Sequence, residues 1–252
     1  MSRPRALAVL ACALAIAPIA TGCSDNSTSA PASPRVTVLA ASSLKEVLEE
    51  LSPATRYSFA GSDQLAFQIE QGAPAEVFAS ASAKYTSALH ARGLVGRPRV
   101  FATNRLVVVV PASNPAGIRS VTDLTDRGVK LVIGDPEVPI GAYSRQVLAR
   151  LGLNAALANV VSNEQDVKAV VAKVALGEAD AGLVYLTDVR AAGSRVSAIA
   201  IPPAGQTPVA YEVAVLRDAP DRAAAEAFVR LLLGDEGRAA LRRHGFGLPV
   251  PG

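Results

Sequence analysis

From residue 36 onward, short apolar segments alternate with segments in which apolar residues recur at helical spacing. The apolar segments predict strands at 36–40, 56–60, 77–79, 106–110, 131–134, 181–185 and 211–216. Helical spacing predicts helices at 44–51, 62–71, 83–91, 141–151, 164–176, 221–233 and 235–244, and residues 160–162 lead into the fifth of them. Continuously apolar strands that alternate with helices indicate an α/β fold whose sheets are covered on both faces.

Two of the predicted strands are candidates for crossovers between two lobes. Residues 106–110 (LVVVV) would lead the chain out of the first lobe, and the strand at 211–216 would lead it back. Lobe I would then comprise residues 36–105 and 211–252, and lobe II residues 106–210. We therefore expect two lobes, each with a mixed sheet flanked by helices, joined by a hinge of two crossover strands.

The N-terminal residues have the pattern of a bacterial export signal. Arg3 and Arg5 precede an apolar run at 6–17, which is too short to span a bilayer. The sequence Ala-Thr-Gly-Cys that ends at Cys23 resembles a lipobox, which implies cleavage before Cys23 and a lipid on its sulfur. We predict a signal peptide at 1–22 and a flexible tether at 23–35, which is rich in Ser, Thr, Pro and Ala. The alternative is a plain signal peptide with an incidental cysteine.

Charge and reactive side chains narrow the class of function. The formal net charge of +3 falls to +1 once Arg3 and Arg5 are removed, so bulk charge does not favour a nucleic-acid partner. Both cysteines lie in the first 23 residues, which leaves the folded domain without a disulfide or a thiolate metal site. Neither His90 nor His244 accompanies a nucleophile or a cluster of acidic ligands. The sequence therefore favours a binding protein over an enzyme.

Polar and small residues mark the points where predicted strands lead into helices. They occur at Leu39–Leu44 (LAASSL), Phe59–Leu65 (FAGSDQL), Gly134–Tyr143 (GDPEVPIGAY), Asn163–Val167 (NEQDV) and Gly182–Asp188 (GLVYLTD). Capping explains each serine or asparagine taken singly. Ligands of α/β proteins bind at such junctions, and helix N-termini favour anions.

Taken together, the order and spacing of these motifs resemble the periplasmic molybdate-binding proteins of ABC importers. The resemblance extends over residues 36–247, and GAPAEVFASA and the GDPE–GAY pair are its most diagnostic parts. It implies a two-lobed periplasmic-binding-protein fold of type II with the oxyanion between the lobes. By motif position it assigns the oxyanion contacts to Ser43, Ser62, Ile140, Val167 and Tyr185.

The resemblance also implies a biological setting. The ligand would be molybdate or tungstate, so that the metal is bound only as its oxyanion and through the same five residues. The partners would be the importer permease with its ATPase, and the membrane through the lipid on Cys23. No cofactor and no nucleic acid are expected. We expect a monomeric, extracytoplasmic lipoprotein anchored to the cell membrane.

One residue departs from the pattern of the family. Asp63 stands directly after Ser62, where a small hydroxyl residue is expected. A carboxylate aimed at the anion would repel molybdate and favour a protonated oxyanion such as phosphate. We interpret Asp63 instead as a solvent-facing residue in the first turn of its helix. The alternatives are a binding protein for sulfate or phosphate and a sensory anion-binding lipoprotein. An organic anion would call for an arginine, and Arg145 and Arg190 are close enough in sequence to be considered.

Overall fold

The structure is a computed structural model that describes residues 36–249. The expected signal peptide, Cys23 and the tether therefore lie outside the described residues. The described strands are β1 (Thr37–Ala41), β2 (Arg56–Ala60), β3 (Val77–Ser80), β4 (Arg99–Asn104), β5 (Leu106–Pro111), β6 (Leu131–Gly134), β7 (Val160–Glu164), β8 (Ala181–Tyr185), β9 (Val196–Ala200) and β10 (Val209–Val215). The helices are α1 (Lys45–Leu51), α2 (Ser62–Glu70), α3 (Ala83–Ala91), α4 (Pro139–Arg150), α5 (Val167–Ala175), α6 (Leu186–Ala192), α7 (Arg222–Leu233) and α8 (Asp235–Arg243).

The strands form two sheets of the same design, which we call sheet I and sheet II. Sheet I has the order β2-β1-β3-β10-β4, and sheet II has the order β7-β6-β8-β5-β9. In each sheet three neighbouring strands are parallel, and the fourth strand runs antiparallel to both of its neighbours. The predicted α/β class with two mixed sheets is thus confirmed.

The chain passes between the two sheets twice. Only Arg105 separates the end of β4 in sheet I from the start of β5 in sheet II. The return runs from the end of β9 to Val209 at the start of β10. The parallel strands of both sheets direct their carboxyl ends toward the seam between them, which is where ligands bind in α/β proteins.

The interior is mostly aliphatic, with a few buried aromatic side chains such as Tyr185, Tyr211 and Phe78. The six residues of β5 are all buried, because helices cover one face of sheet II and further helices cover the other. The tight approach of α5 to β8 requires Gly182, since a Cβ there would lie 2.8 Å from Cγ1 of Val170. None of the helices between residues 36 and 249 is long and apolar enough to cross a bilayer.

The structure corrects the prediction around residue 164. Asn163 and Glu164 lie in β7 and pair with β6, whereas the helix begins at Val167. Asp166 caps that helix, because its carboxylate accepts a hydrogen bond from the N–H of Ala169 at 3.0 Å. The predicted helix start at 164 and the suggested cap at Asn163 are therefore wrong. The strands β4 and β9 and the helix α6 were not predicted.

Candidate anion site between the two sheets

A small cavity lies where the carboxyl ends of the two sets of parallel strands face each other. Its volume is only about 10 Å³, which is far less than the roughly 300–1,000 Å³ of pockets for drug-sized ligands. All five residues assigned to the oxyanion line this one cavity, although they are spread over more than half of the chain. The lining residues are Ala41, Ser42, Ser43, Ala60, Gly61, Ser62, Ala81, Val138, Pro139, Ile140, Asp166, Val167 and Tyr185.

Ser43 reaches the cavity from a single 3-10 turn, Ser42–Leu44, between β1 and α1. Its hydroxyl lies 3.0 Å from the hydroxyl of Tyr211, and both groups are buried. The side chain of Ser43 is therefore held on its inner side and is exposed only to the cavity. Ser42, next to it, also lines the cavity and was not among the predicted contacts.

Ser62 is the first residue of α2 and is 1% exposed. Its Oγ accepts a hydrogen bond from the backbone N–H of Ala81 at 3.0 Å. A backbone N–H can only donate, so the hydroxyl hydrogen of Ser62 remains available to a ligand. The serine is not an ordinary cap, because α2 has Gly61 at its N-cap position and no side-chain cap.

Ile140 lies in the first turn of α4, behind a loop whose backbone is closely packed. Gly141 is essential to this packing, since a Cβ there would overlap the carbonyl oxygens of Gly134 and Asp135. The first turn of a helix leaves its N–H groups without partners in the helix, and Pro139 has no N–H to offer. The first N–H group that α4 presents to the cavity is thus that of Ile140.

Arg145 stabilises this loop through hydrogen bonds and does not line the cavity. Its guanidinium donates to the carbonyl oxygens of Gly134 at 2.9 Å and Gly141 at 3.2 Å, and to Oδ1 of Asn163 at 2.9 Å. Arg190 packs against Gly245. Neither arginine is placed to hold a carboxylate ligand in the cavity.

Val167 is the first residue of α5, directly after the capping residue Asp166. The Asp166 carboxylate is occupied by the N–H of Ala169. The N–H of Val167 lies outside that capping interaction and belongs to the free first turn of the helix. We interpret Asp166 as structural, in agreement with its role as a cap.

Tyr185 ends β8 and is 1% exposed. Its hydroxyl is buried and finds no hydrogen-bond partner among residues 36–249. Its ring meets those of Tyr143 and Tyr211 edge to face, with centroids 6.5 Å and 6.0 Å away. Burial raises the pKa of Tyr185 well above its ordinary value, so the phenol keeps its proton. An unpartnered buried donor beside a cavity is costly unless a ligand accepts from it.

Apart from the carboxylate of Asp166, which caps α5, the polar groups at the cavity are backbone and hydroxyl groups. In the described part of the chain, none of the residues that line it is a lysine, arginine or histidine. The first turns of α2, α4 and α5 all lie at the cavity, and each contributes partial positive charge from its N-terminus. The arrangement can stabilise a small anion whose oxygens only accept hydrogen bonds.

Asp63 lies in the first turn of α2, as expected, and its side chain is only partly exposed to solvent. Its Oδ1 is buried without a partner among the described residues, and a Cβ added at Gly61 would meet both this oxygen and the carbonyl oxygen of Gln165. Loss of hydration raises the pKa of Asp63; nearby backbone N–H groups oppose this rise, and Asp135 and Glu137 add to it. The prediction of a solvent-facing residue therefore holds only in part, because Gln165 from the other half of the chain lies beside this turn. Asp63 is not among the residues that line the cavity.

Polar contacts join the two halves of the molecule around the cavity. Lys168 of α5 lies 2.8 Å from both carboxylate oxygens of Glu46 in α1. Lys84 of α3 lies 2.7 Å from Glu137. The Gln64 amide donates to the Gln165 side chain at 2.9 Å. These contacts define a closed arrangement in which the cavity is covered.

Sequence reasoning missed the support behind Ser43. Tyr211 and Asn104 lie in strands of sheet I, and no local motif marks either of them as part of a site. Tyr211 was assigned only as the first residue of a predicted strand. The polar hydroxyl at the start of an apolar segment was the one available signal.

The chain is similar in sequence to a family of known proteins. Residues 36–247 match the family described as bacterial extracellular solute-binding protein. The molybdate-binding protein ModA of Mycobacterium tuberculosis (strain ATCC 25618 / H37Rv) is 37% identical over 243 residues, which are 90% of this chain and 92% of that protein. The protein of the same name from Escherichia coli (strain K12) is 33% identical over 230 residues, covering 84% and 88%.

A solved structure extends the similarity to the whole fold. The periplasmic molybdate-binding protein of Azotobacter vinelandii superposes with a TM-score of 0.78 at 26% sequence identity. The match covers 86% of this chain and all of that one. The two-lobed periplasmic-binding-protein architecture expected from the sequence is thus confirmed.

Proposed function

Because the chain belongs to the bacterial extracellular solute-binding proteins, we propose that it captures molybdate outside the cytoplasm and delivers it to an ABC importer. The observation that carries the proposal is the convergence of Ser43, Ser62, Ile140, Val167 and Tyr185 on one small cavity. As a solute-binding protein, the chain is a component of transport, and we assign it no enzymatic role.

The chemistry of the cavity suits molybdate. At neutral pH molybdate is a dianion whose four oxygens only accept hydrogen bonds. Three hydroxyl groups and the free N–H groups of the helix N-termini supply donors, and burial of the dianion is tolerable only when its oxygens are satisfied. We assign the Ser43, Ser62 and Tyr185 hydroxyls and the Ile140 and Val167 N–H groups to these contacts. Tungstate has the same shape and charge, so we propose that it binds as well.

We further propose that the two halves move against each other to admit the ligand. Residues 36–105 and 211–252 would form lobe I, and residues 106–210 lobe II. Ser43 and Ser62 lie in lobe I, whereas Ile140, Val167 and Tyr185 lie in lobe II. Only closure brings the two sets of donors together, and closure also removes water from the anion.

The cellular setting follows from the family and from the N-terminal sequence. We propose a monomer that docks on the importer permease, which acts with its ATPase. The lipid anchor at Cys23, with cleavage after residue 22, is proposed from the lipobox-like sequence alone. A tether at 23–35 would hold the folded body away from the membrane while it docks.

Asp63 favours a second candidate function, which is the capture of phosphate. Its buried, unpartnered Oδ1 lies near the cavity, and burial raises its pKa. An ionised carboxylate there is able to accept a hydrogen bond from monoprotonated phosphate, whereas sulfate has no proton to donate. The position of Asp63 argues against this second function, because the residue does not line the cavity.

The test is calorimetric titration with sodium molybdate, tungstate, sulfate and phosphate in turn. The full chain is expressed with its own N-terminus and purified in mild detergent. Ser62→Ala tests the site, and we expect it to weaken molybdate binding by about 1–3 kcal/mol because a donor to a buried charge is lost. Ser52→Ala is the matched control, since the Ser52 hydroxyl bonds to the Thr55 hydroxyl at the far end of α1.

Each outcome has a distinct meaning. Binding of molybdate and tungstate, with no heat from sulfate or phosphate, supports the proposal. Binding of phosphate that Asp63→Asn abolishes would establish the second candidate. If none of the four anions binds, the transport of oxyanions is refuted and a sensory role with another ligand moves forward.

A further inference from the structure

We propose that Tyr211 and Asn104 are positioning residues that turn the Ser43 hydroxyl hydrogen toward the anion. The inference rests on the proposed function, because it concerns how one of the assigned donors is oriented. It deepens that function, since it names residues that control affinity without touching the ligand. Neither residue lines the cavity.

The first step is the contact behind Ser43. Its Oγ lies 3.0 Å from the Tyr211 hydroxyl, and that tyrosine is fully buried in the middle of sheet I. Either oxygen is able to donate in such a pair. The direction of the bond decides whether the hydrogen of Ser43 is spent on Tyr211 or left for the cavity.

The second step fixes the orientation of the Asn104 amide. Its Oδ1 accepts a hydrogen bond from the backbone N–H of Arg105 at 2.9 Å, and this N–H is an obligatory donor. The nitrogen Nδ2 must therefore point the other way. It lies 2.9 Å from Oγ1 of Thr187 and 3.3 Å from the Tyr211 hydroxyl, so both amide hydrogens have acceptors.

The third step assigns the Tyr211 proton. Its oxygen already accepts from Asn104, and Ser43 Oγ is the remaining hydrogen-bonding atom beside it among the described residues. Burial raises the pKa of Tyr211 above its ordinary value, so the phenol keeps a proton to donate. The chain of donation runs from Asn104 to Tyr211 to Ser43, and from Ser43 into the cavity.

The hydroxyl of Ser62 is oriented in the same way, but by a backbone N–H group instead of a side chain. There the backbone N–H of Ala81 donates to Oγ, so that the serine hydrogen is free for the ligand. Tyr211 performs for Ser43 what that N–H performs for Ser62. A tyrosine hydroxyl can rotate, however, and the hydrogen bond from Asn104 fixes the direction in which Tyr211 donates.

The position of these residues makes the orientation independent of closure. All three residues belong to lobe I: Ser43 lies in the turn after β1, Tyr211 is the third residue of β10, and Asn104 ends β4. The Ser43 hydroxyl is thus oriented before the lobes close, which lowers the entropic cost of binding. Asn104 also bonds to Thr187 in α6 and stands next to Arg105, where the chain crosses between the sheets.

The test is a double-mutant cycle of Tyr211→Phe and Ser43→Ala, with molybdate affinity measured by calorimetry on the full chain in mild detergent. Tyr211→Phe keeps the ring and should weaken binding about three- to tenfold when Ser43 is present. In the Ser43→Ala background the same change should have no further effect, because no hydroxyl remains to be oriented.

Tyr57→Phe is the control for loss of a hydrogen-bonded, partly buried tyrosine hydroxyl. Its hydroxyl donates to the carbonyl oxygens of Leu48 at 2.8 Å and Ser52 at 3.1 Å, away from the cavity. It should lower the melting temperature without changing affinity. If Tyr211→Phe weakens binding equally with and without Ser43, its role is only structural and the inference is overturned.

A measurement without ligand separates this inference from the proposed function. In the ligand-free protein, proton NMR should detect a slowly exchanging Tyr211 hydroxyl proton with an NOE to the β-protons of Ser43. Observation of the Ser43 hydroxyl proton donating to Tyr211 instead would overturn the orientation. Failure of the wild-type protein to bind any oxyanion would refute the proposed function, and the NMR result would still decide the hydrogen-bond direction.

Discussion

The unpartnered hydroxyl of Tyr185 yields a prediction in which affinity and stability change in opposite directions. Tyr185→Phe removes one oxygen from a side chain that is 1% exposed and keeps the ring. The edge-to-face contacts with Tyr143 and Tyr211 therefore remain. What is lost is a donor that no described residue uses and that we assign to the anion.

The magnitude follows from the two states of that hydroxyl. In the liganded protein it would bond to a charged oxygen, which contributes about 1.5–3 kcal/mol, so affinity should fall about 10- to 150-fold. In the ligand-free closed form it is desolvated without compensation, at a cost of about 1–3 kcal/mol. The variant should therefore be at least as stable as the wild type when no ligand is present.

Two measurements on the same samples check this prediction. Calorimetry with molybdate gives the affinity, and thermal unfolding without molybdate gives the stability. Tyr57→Phe should show the reverse pattern, with lower stability and unchanged affinity, because its hydroxyl has two carbonyl acceptors. A Tyr185→Phe variant that binds molybdate as tightly as the wild type would refute the assignment of this hydroxyl as a ligand.

Three further changes test other parts of the structure. Gly141→Ala should lower molybdate affinity at least tenfold and cost about 1–3 kcal/mol of stability by calorimetry and melting, because a Cβ displaces the loop carbonyl of Asp135. Normal affinity would show that this loop does not hold the anion. Glu46→Gln should speed molybdate release in stopped-flow traces by a few-fold, since it weakens a partly exposed ion pair with Lys168 that joins the lobes; an unchanged rate would contradict that role. Burial raises the pKa of Asp188 to about 7, so between about pH 4 and pH 7 the native state holds a proton that the unfolded chain has released. The free energy of unfolding, measured by urea titration, should therefore fall as the pH rises toward 7. Asp188→Asn should flatten that slope and stabilise the protein by about 1–3 kcal/mol at pH 8; a slope that persists in the variant would assign it to other groups.

Much of the architecture was predictable because buried parallel strands have a strong pattern. The run at 106–110 and the segment at 181–185 were located almost to the residue. The strand β9 was missed because it is an edge strand with three exposed positions out of five. The helix α6 was missed because it follows β8 without an intervening loop. Pattern alone gives no signal in either case.

The site residues were predicted from the resemblance of motifs, and the structure brings all five to one cavity. What lay beyond prediction depends on contacts between distant segments. The partner of Ser43 is separated from it by 168 positions, so nothing near Ser43 reveals Tyr211. The partial burial of Asp63 was missed for the same reason, because Gln165 beside this turn comes from the other half of the chain. Contacts of this kind form only when distant segments meet in the folded protein, so they cannot be predicted from local sequence.

The proposed use of main-chain donors at Ile140 and Val167 has a consequence for how this protein varies in evolution. The N–H group is common to nearly every amino acid, so side chains at these two positions are free to drift among residues of similar bulk. The constraint falls instead on Gly134 and Gly141, where the backbone of the loop touches the start of α4. Among orthologues that bind the same ligand, Gly134 and Gly141 should therefore be more strictly conserved than the two positions that we assign to ligand contacts.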